Sequence, residues 1–242
     1  MGKVLTGLCL DADDVEIAAG FDLLGQENDH FPIFSAPAAY SGSADVLIDF
    51  SAPAALPALL QFGRERHIPL VLATTGYSEE QLAAIDEAAK EIPIFRTGNF
   101  SLGINVLAAL VAKAAAALGS DFDVEIVERH HSRKVDAPSG TAIMLAQAAQ
   151  TGLPYSPEYV YDRQSVRRPR GKTEIGISSV RGGNIVGDHE VIFAGRNEVV
   201  ELKHSAMSRE VFASGALRAA RFLAKAAKPG IYDMNDLVEQ II

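Results

Sequence analysis

Residues 128–142 read Glu-Arg-His-His-Ser-Arg-Lys-Val-Asp-Ala-Pro-Ser-Gly-Thr-Ala, so two adjacent histidines, a lysine, an acid and a Ser-Gly-Thr turn share fifteen positions. An imidazole takes or gives a proton near neutral pH, and a lysine ammonium is a compact charge that can also donate one. A histidine of the pair and Lys134 therefore offer general acid–base chemistry. Val124, Ile126 and Val127 ahead of the run read as a buried strand, and Ala142 to Ala149 after it as a helix. Ser139 or Thr141 can cap that helix, whose first N–H groups have no partner inside the helix and favour an anion. The chemistry on offer is a carboxylate held beside groups that move protons. Each piece alone is ordinary: a His-His pair is commonly a surface loop feature, and Pro-Ser-Gly-Thr is commonly a turn before a capped helix. Their density in one run favours function. No metal is expected, because adjacent histidines on an extended segment point to opposite sides and no further cluster has ligand spacing.

Composition sets the frame around this run. The chain has 242 residues, 48% hydrophobic and 22% charged, as in an ordinary globular protein of one large or two modest domains. A net charge of −9 argues against nucleic acid or an anionic membrane as partner. An anionic substrate must then be drawn by local cations. The single cysteine, Cys9, excludes an internal disulfide and fits a reducing, cytoplasmic setting. No uninterrupted apolar run approaches the roughly 18 residues of a membrane helix.

Taken in order, Met1 to Leu10 reads as a helix and Val15 to Phe21 as a buried strand ending at Asp22. Leu23 to Ser43 reads as loop with one short extended piece, and Val46 to Asp49 as a short strand. A helix to Arg66 follows, with Ser51 as cap and Pro53 in its first turn. Leu70 to Thr74 is a strand, Ser78-Glu79-Glu80-Gln81 a capping box opening a helix to Glu91, and Ile94 to Arg96 a strand. This alternation predicts a parallel, doubly wound α/β sheet whose site lies beyond the carboxyl ends of its strands. Asp22, Ser51, Thr74, Thr75, Asn99 and Ser101 follow strands and are expected to gather there. Leu102 to Leu118 reads as a buried helix ended by Gly119. Residues Thr151 to Lys172 read as irregular, with Arg163, Arg167, Arg168, Arg170 and Lys172 forming a solvated run able to raise the local potential. Ile175 to Val180, Asp188 to Phe193 and Val199 to His204 read as a mostly antiparallel sheet, and Val211 to Ala226 as a last amphipathic helix.

The run Glu-x-His-His-x-x-Lys-x-Asp-Ala-Pro-Ser-Gly-Thr-Ala resembles the signature of the dihydrodipicolinate reductase family. Asp49-Phe50-Ser51, Thr74-Thr75-Gly76, Asn99-Phe100-Ser101-x-Gly103-x-Asn105 and Ser179-x-Arg181-Gly182-Gly183-x-Ile185-x-Gly187-x-His189 resemble further family blocks. The resemblance implies a Rossmann-like domain over residues 1–101, an α+β substrate and oligomerisation domain over 102–210, and a return to the first domain over 211–242. It implies reduction of a cyclic unsaturated dicarboxylate by NADH or NADPH on the diaminopimelate route to lysine, in a cytoplasmic homotetramer. It assigns His130 as proton donor and acceptor, Lys134 as proton donor, and His131, Gly140 and Thr141 to a substrate carboxylate. Ala73-Thr74-Thr75 and Thr97-Gly98-Asn99-Phe100 would flank the nicotinamide, with alanine standing at 73 where the family has glycine. Asp22 would meet the adenosine ribose, and Leu23 and Leu24 bring no cation for a 2′-phosphate, which leans the cofactor to NADH. Glu128 and Asp136 are read as structural.

Two other readings stay open on the sequence. One is a different reductase on this layout, acting on aspartate- or homoserine-type substrates; the His-His-x-x-Lys and Ser-Gly-Thr block weighs against it. The other is a paralogue or fragment without its cofactor. A dinucleotide fold opens with a strand and Gly-x-x-Gly, whereas this sequence opens Met1-Gly2-Lys3. The reading therefore expects a central strand and a glycine loop to be missing ahead of Met1, and the strands near Val15 and Val46 to face a gap.

Overall fold

The computed structural model describes residues 1–25, 28–165, 167–225 and 228–239. The chain divides into two compact units: residues 1–101 with 210–242, and residues 102–209. The first part of unit 1 runs α1 (Gly2–Leu10), β1 (Gly20–Phe21), β2 (Ile33–Phe34), β3 (Leu47–Asp49), α2 (Leu56–Arg66), β4 (Leu70–Leu72), α3 (Glu79–Ala88) and β5 (Pro93–Arg96). The capping box at Ser78 is formed in full: Ser78 accepts from the Gln81 N–H and Gln81 reaches back to the Ser78 N–H. Ser51 does not cap α2. Its hydroxyl donates to Asp49 at 2.5 Å instead, and a 3-10 turn over Pro53–Ala55 leads into the helix.

Unit 2 runs α4 (Leu102–Leu118), β6 (Asp123–His130), α5 (Gly140–Gly152), β7 (Glu158–Val160), β8 (Glu174–Arg181), β9 (Gly187–Ala194) and β10 (Val199–Ala206). Its sheet has the order β10-β9-β6-β8-β7. The β10–β9 and β9–β6 pairs are antiparallel, but β6–β8 and β8–β7 are parallel, so the sheet is mixed rather than mostly antiparallel. The cause is the helix α5 between β6 and β8: a helical crossover returns the chain in the same direction. One face of the sheet (Val124, Ile126, Ile175, Ile177, Val191, Phe193) is buried against Ile104, Leu107, Val111 and Ala115 of α4 and Leu145 and Ala149 of α5. Residues 102–121 are long and apolar enough to cross a membrane, with a mean hydropathy of 1.8, contrary to the expectation that nothing approaches that length. Here Ile104, Leu107 and Val111 lie in the core of unit 2, while Leu110 is 46% exposed.

Arg163, Arg167, Arg168 and Lys172 are exposed, as expected of a solvated run, but three of the arginines are also ion-paired. Arg163 pairs with Glu125 and Glu174, Arg168 with Glu174, and Arg170 with Asp123 and Glu125. Their charge is spent fastening this segment to β6 and β8, which leaves less of it to raise a local potential.

The chain then returns to unit 1 through α6 (Glu210–Leu223), β11 (Gly230–Tyr232) and α7 (Met234–Glu239). The expected end of the last helix, Ala226, lies outside the described residues. Strands β11-β5-β4-β3 form one all-parallel sheet. Leu70, Val71 and Leu72 of β4 are fully buried, as an apolar run in the middle of a sheet covered on both faces must be. β1 and β2 form a separate two-stranded sheet, so β3 is an edge of the larger one. Only Gly20 and Phe21 of the expected strand at 15–21 are extended and paired, with Ile33 and Phe34.

Candidate active site

The histidine run is built on the inward alternation of β6. Side chains two apart on a strand share a face, so Glu128 and His130 point inward with Val124 and Ile126. Neighbouring strands bring polar partners to the same level: Glu128 faces Ser179 of β8 and His189 of β9, and His130 faces Arg181. Glu128 is wholly buried. It accepts from Arg181 Nη1 at 2.8 Å and Nη2 at 2.7 Å, and from the Ser139 N–H at 3.1 Å, and it lies 2.6 Å from Nδ1 of His130. Burial alone would push the Glu128 carboxyl up. Hydrogen bonds from Arg181, His130 and Ser179 outweigh it and hold the group down at about 2.

Ser139 is the cap of α5, accepting from the Ala142 N–H at 3.1 Å, and its hydroxyl lies 2.9 Å from Nε2 of His189. Burial, with the neighbouring His130, holds the His189 imidazole down at about 4, so it is neutral at physiological pH. Its ring sits edge-on to that of His130, centroids 5.1 Å apart.

After His130 the chain leaves the sheet, clasped by Gly182 N–H to the His130 carbonyl at 2.9 Å and Ser132 N–H to the Gly183 carbonyl at 3.2 Å. His131 is half-buried, and its pKa is lowered by burial and by the charges of Arg133, Arg209, His130 and Lys134. Lys134 donates to both Asp136 oxygens, at 2.8 and 2.7 Å. Gly140 opens α5 and is exposed, Thr141 follows half-buried, and a Cβ added at Gly140 would meet nothing within 4 Å. A strand-end histidine, a lysine and an accessible helix start thus share one unit.

In unit 1 the loops after β3, β4 and β5 leave the same edge of one parallel sheet. Ala73 donates its N–H to the Asp49 carbonyl at 2.8 Å. Among the described residues His67 is the one non-glycine with positive φ, so alanine at 73 is unstrained; the left-handed conformation falls on Gly76, at φ 83. Thr74 is half-buried and Thr75 exposed. Tyr77, whose phenol is pushed up by burial and by Asp49, donates to Asp49 at 3.3 Å. Thr97 Oγ1 accepts from the Asn99 N–H at 3.4 Å, and Asn99 Oδ1 accepts from the Ser101 N–H at 2.8 Å. Gly98 is exposed, with nothing within 4 Å of an added Cβ. Phe100 is buried against Phe95 and Phe50. Asp22 stands apart from these, following β1 of the small sheet, exposed, with Oδ1 accepting from the Leu24 N–H at 2.7 Å.

Arg181, His189 and Ser139 were not among the expected site residues, and Glu128 was read only as structural. The available signal was polar residues two apart (128 and 130, 179 and 181), with His189 at an inward position of a segment otherwise apolar there.

The chain matches "Dihydrodipicolinate reductase, N-terminus" over residues 1–100 and "Dihydrodipicolinate reductase, C-terminus" over residues 103–238. It is 53% identical over 240 residues to the 4-hydroxy-tetrahydrodipicolinate reductase of Caldanaerobacter subterraneus subsp. tengcongensis, covering 99% of this chain and 94% of that one. It is 48% identical over 235 residues to that of Clostridium tetani, covering 97% and 91%. A dipicolinate-bound dihydrodipicolinate reductase from Paenisporosarcina sp. TG-14 superposes with a TM-score of 0.77 at 22% identity, over 97% of this chain and 94% of that one, and so shares the fold. Fold and relatives together define an α/β oxidoreductase with a Rossmann-like N-terminal domain. The chain belongs to the dihydrodipicolinate (4-hydroxy-tetrahydrodipicolinate) reductase family, whose reaction is a reduction on the diaminopimelate route to lysine.

Proposed function

We propose that unit 2 binds a cyclic dicarboxylate and supplies its protons, while unit 1 binds the nicotinamide dinucleotide that the family's N-terminal domain implies. When bound, that cofactor supplies the hydride. The hydroxyls and amides of Thr74, Thr75, Thr97 and Asn99, at the carboxyl edge of a parallel sheet, are a donor set that fits it, and Gly76 and Gly98 leave its approach uncrowded. His130 exchanges a proton at its outer nitrogen, and Lys134 donates a proton. His131, with Gly140 and Thr141 at the start of α5, binds a substrate carboxylate by N–H groups, hydroxyl and helix dipole. The solved relative from Paenisporosarcina carries dipicolinate, a planar dicarboxylate, which supports that substrate class. The observation that carries the reading is the His130 ring held by a buried carboxylate in the unit that also presents Lys134 and the α5 start.

Steady-state kinetics test it. His130→Gln and Lys134→Ala should lower kcat by roughly 10²–10⁴-fold with the circular dichroism spectrum unchanged. Thr141→Val should weaken pyridine-2,6-dicarboxylate more than the reduced cofactor. Wild-type turnover in His130→Gln sinks the assignment.

NADH is the proposed cofactor of choice. The exposed Asp22 carboxylate accepts from a ribose hydroxyl pair and repels a 2′-phosphate, and Leu23 and Leu24 beside it, 90% and 82% exposed, offer no cation. A higher kcat/KM with NADPH refutes this. The enzyme acts in the cytoplasm as a homotetramer assembled through unit 2.

A further inference from the structure

We infer that Glu128 and Arg181 are a positioning pair that holds His130 as its Nδ1–H tautomer and ties it to the segment carrying Lys134. The inference rests on the reading of His130 as the proton carrier and adds two residues to which no role in the reaction has been given.

Glu128 has no exposed surface, and every contact it makes comes from a donor: both Arg181 Nη groups, the Ser139 N–H, the Ser179 hydroxyl and His130 Nδ1. A carboxylate so surrounded stays ionised and can only accept. The nitrogen of His130 that lies 2.6 Å away must therefore carry a hydrogen. In a neutral imidazole that leaves Nε2 as the free base. Nε2 sits beside Gly187, where an added Cβ would come within 3.1 Å of it, so the absent side chain keeps that nitrogen uncrowded. The other titratable neighbour on this face is His189.

Arg181 does more than neutralise Glu128. Its Nη2 also donates to the Asp136 carbonyl at 2.6 Å, and the Asp136 carboxylate holds Lys134. One guanidinium fork thus links His130, through Glu128, to the segment that carries Lys134. A lysine could supply the charge but not the fork.

Glu128→Gln is a discriminating variant. The amide must turn its NH2 toward one pair of former donors. Arg181 and the Ser139 N–H cannot become acceptors, whereas the imidazole can. The NH2 is driven to face His130, and the tautomer inverts to Nε2–H. Long-range 1H–15N spectra of the full-length enzyme, with His130 assigned by its loss in His130→Gln, read this directly. Expected are an Nδ1–H, Nε2-unprotonated ring in wild type, the reverse in Glu128→Gln, and a kcat lowered by roughly 10²–10⁴-fold with KM little changed. Arg181→Lys should keep the wild-type tautomer yet lower kcat, since a displacement near 1 Å costs on the order of 10²-fold. An Nε2–H ring in wild type overturns the inference even where no variant folds. So does an unchanged tautomer in Glu128→Gln, or wild-type turnover in Arg181→Lys. Full turnover in His130→Gln would instead sink the proton-carrier reading, and the spectra would still decide what holds the ring.

Discussion

At the scale of residues, the polar cluster under β6 makes stability depend on pH in a defined direction. The His189 imidazole is held down at about 4 from an ordinary 6.5, first by burial and then by His130. The unfolded chain takes a proton that the folded one refuses, so the contribution is full above pH 6.5 and is lost as pH falls from 6.5 toward 4. A fall from 6.5 to about 4 makes this on the order of 3 kcal/mol. Glu128 acts lower: its contribution is full above its ordinary 4.5 and is lost as pH falls from there toward 2. Melting temperature should thus decline in two stages on acidification, and His189→Gln should flatten the upper one. An unchanged decline between pH 6.5 and 4 in that variant would show that other groups set it. His130 and Lys134 were legible because they lie in one dense run. Arg181 and His189 were not, because their relation to His130 depends on strand register: His130 opposite Arg181, and Glu128 opposite His189. That pairing joins segments some 50 residues apart, beyond the reach of local spacing.

At the scale of elements, the candidate cofactor loop after β5 is set by a helix from the other end of the chain. A Cβ added to Gly215 of α6 would lie 1.6 Å from the Phe100 carbonyl oxygen, so backbone meets backbone there. Phe95 packs on both Phe100 and Phe222 of α6, which fixes the same approach. Gly215→Ala must push α6 and the loop apart. Overpacking of this kind costs about 1–3 kcal/mol. The variant should melt lower and bind NADH more weakly, read by thermal shift and by cofactor fluorescence titration, with dicarboxylate binding to unit 2 spared. Unaltered NADH affinity would remove Phe100 and Asn99 from the cofactor contacts. Helix α4 was legible to the residue, since an Ala/Leu/Val run ended by Gly119 says where it stops. The strand expected at 15–21 was not: apolar residues are a strand only where a neighbour takes their hydrogen bonds, and only Gly20 and Phe21 have one. The direction of β8 was hidden too, because sequence reports strands and turns but not that α5 carries the chain across to a parallel neighbour.

At the scale of the whole molecule, net charge −9 keeps separate chains apart in solution, so assembly needs a specific apolar surface. Unit 2 has one. Both of its α-helices pack on one face of its five-stranded sheet, and among the described residues no helix of unit 2 covers the other. That outer face carries Val127, Val180 and Ile192 with the Arg129–Glu190 ion pair among them at 3.0 Å, and Val180 is 45% exposed. β10 is an edge strand of eight residues whose outward side chains are Val199, Glu201, Lys203 and Ser205, with Val199 56% exposed. A long edge strand pairs or is covered in a stable protein, and with one apolar and two charged residues among its four outward positions this edge is only partly protected. Copies of this face stacked on one another would bury Val180 and Val199 and leave the inward site of β6 untouched, because side chains alternate across the sheet. The proposed homotetramer predicts a light-scattering mass of four times the 25.8 kDa chain for the wild type. Val180→Glu with Val199→Glu should shift it to smaller species at micromolar concentration while the far-ultraviolet dichroism stays the same. A wild-type monomer under those conditions contradicts the tetramer. A double variant that keeps the four-chain mass moves the interface to another surface.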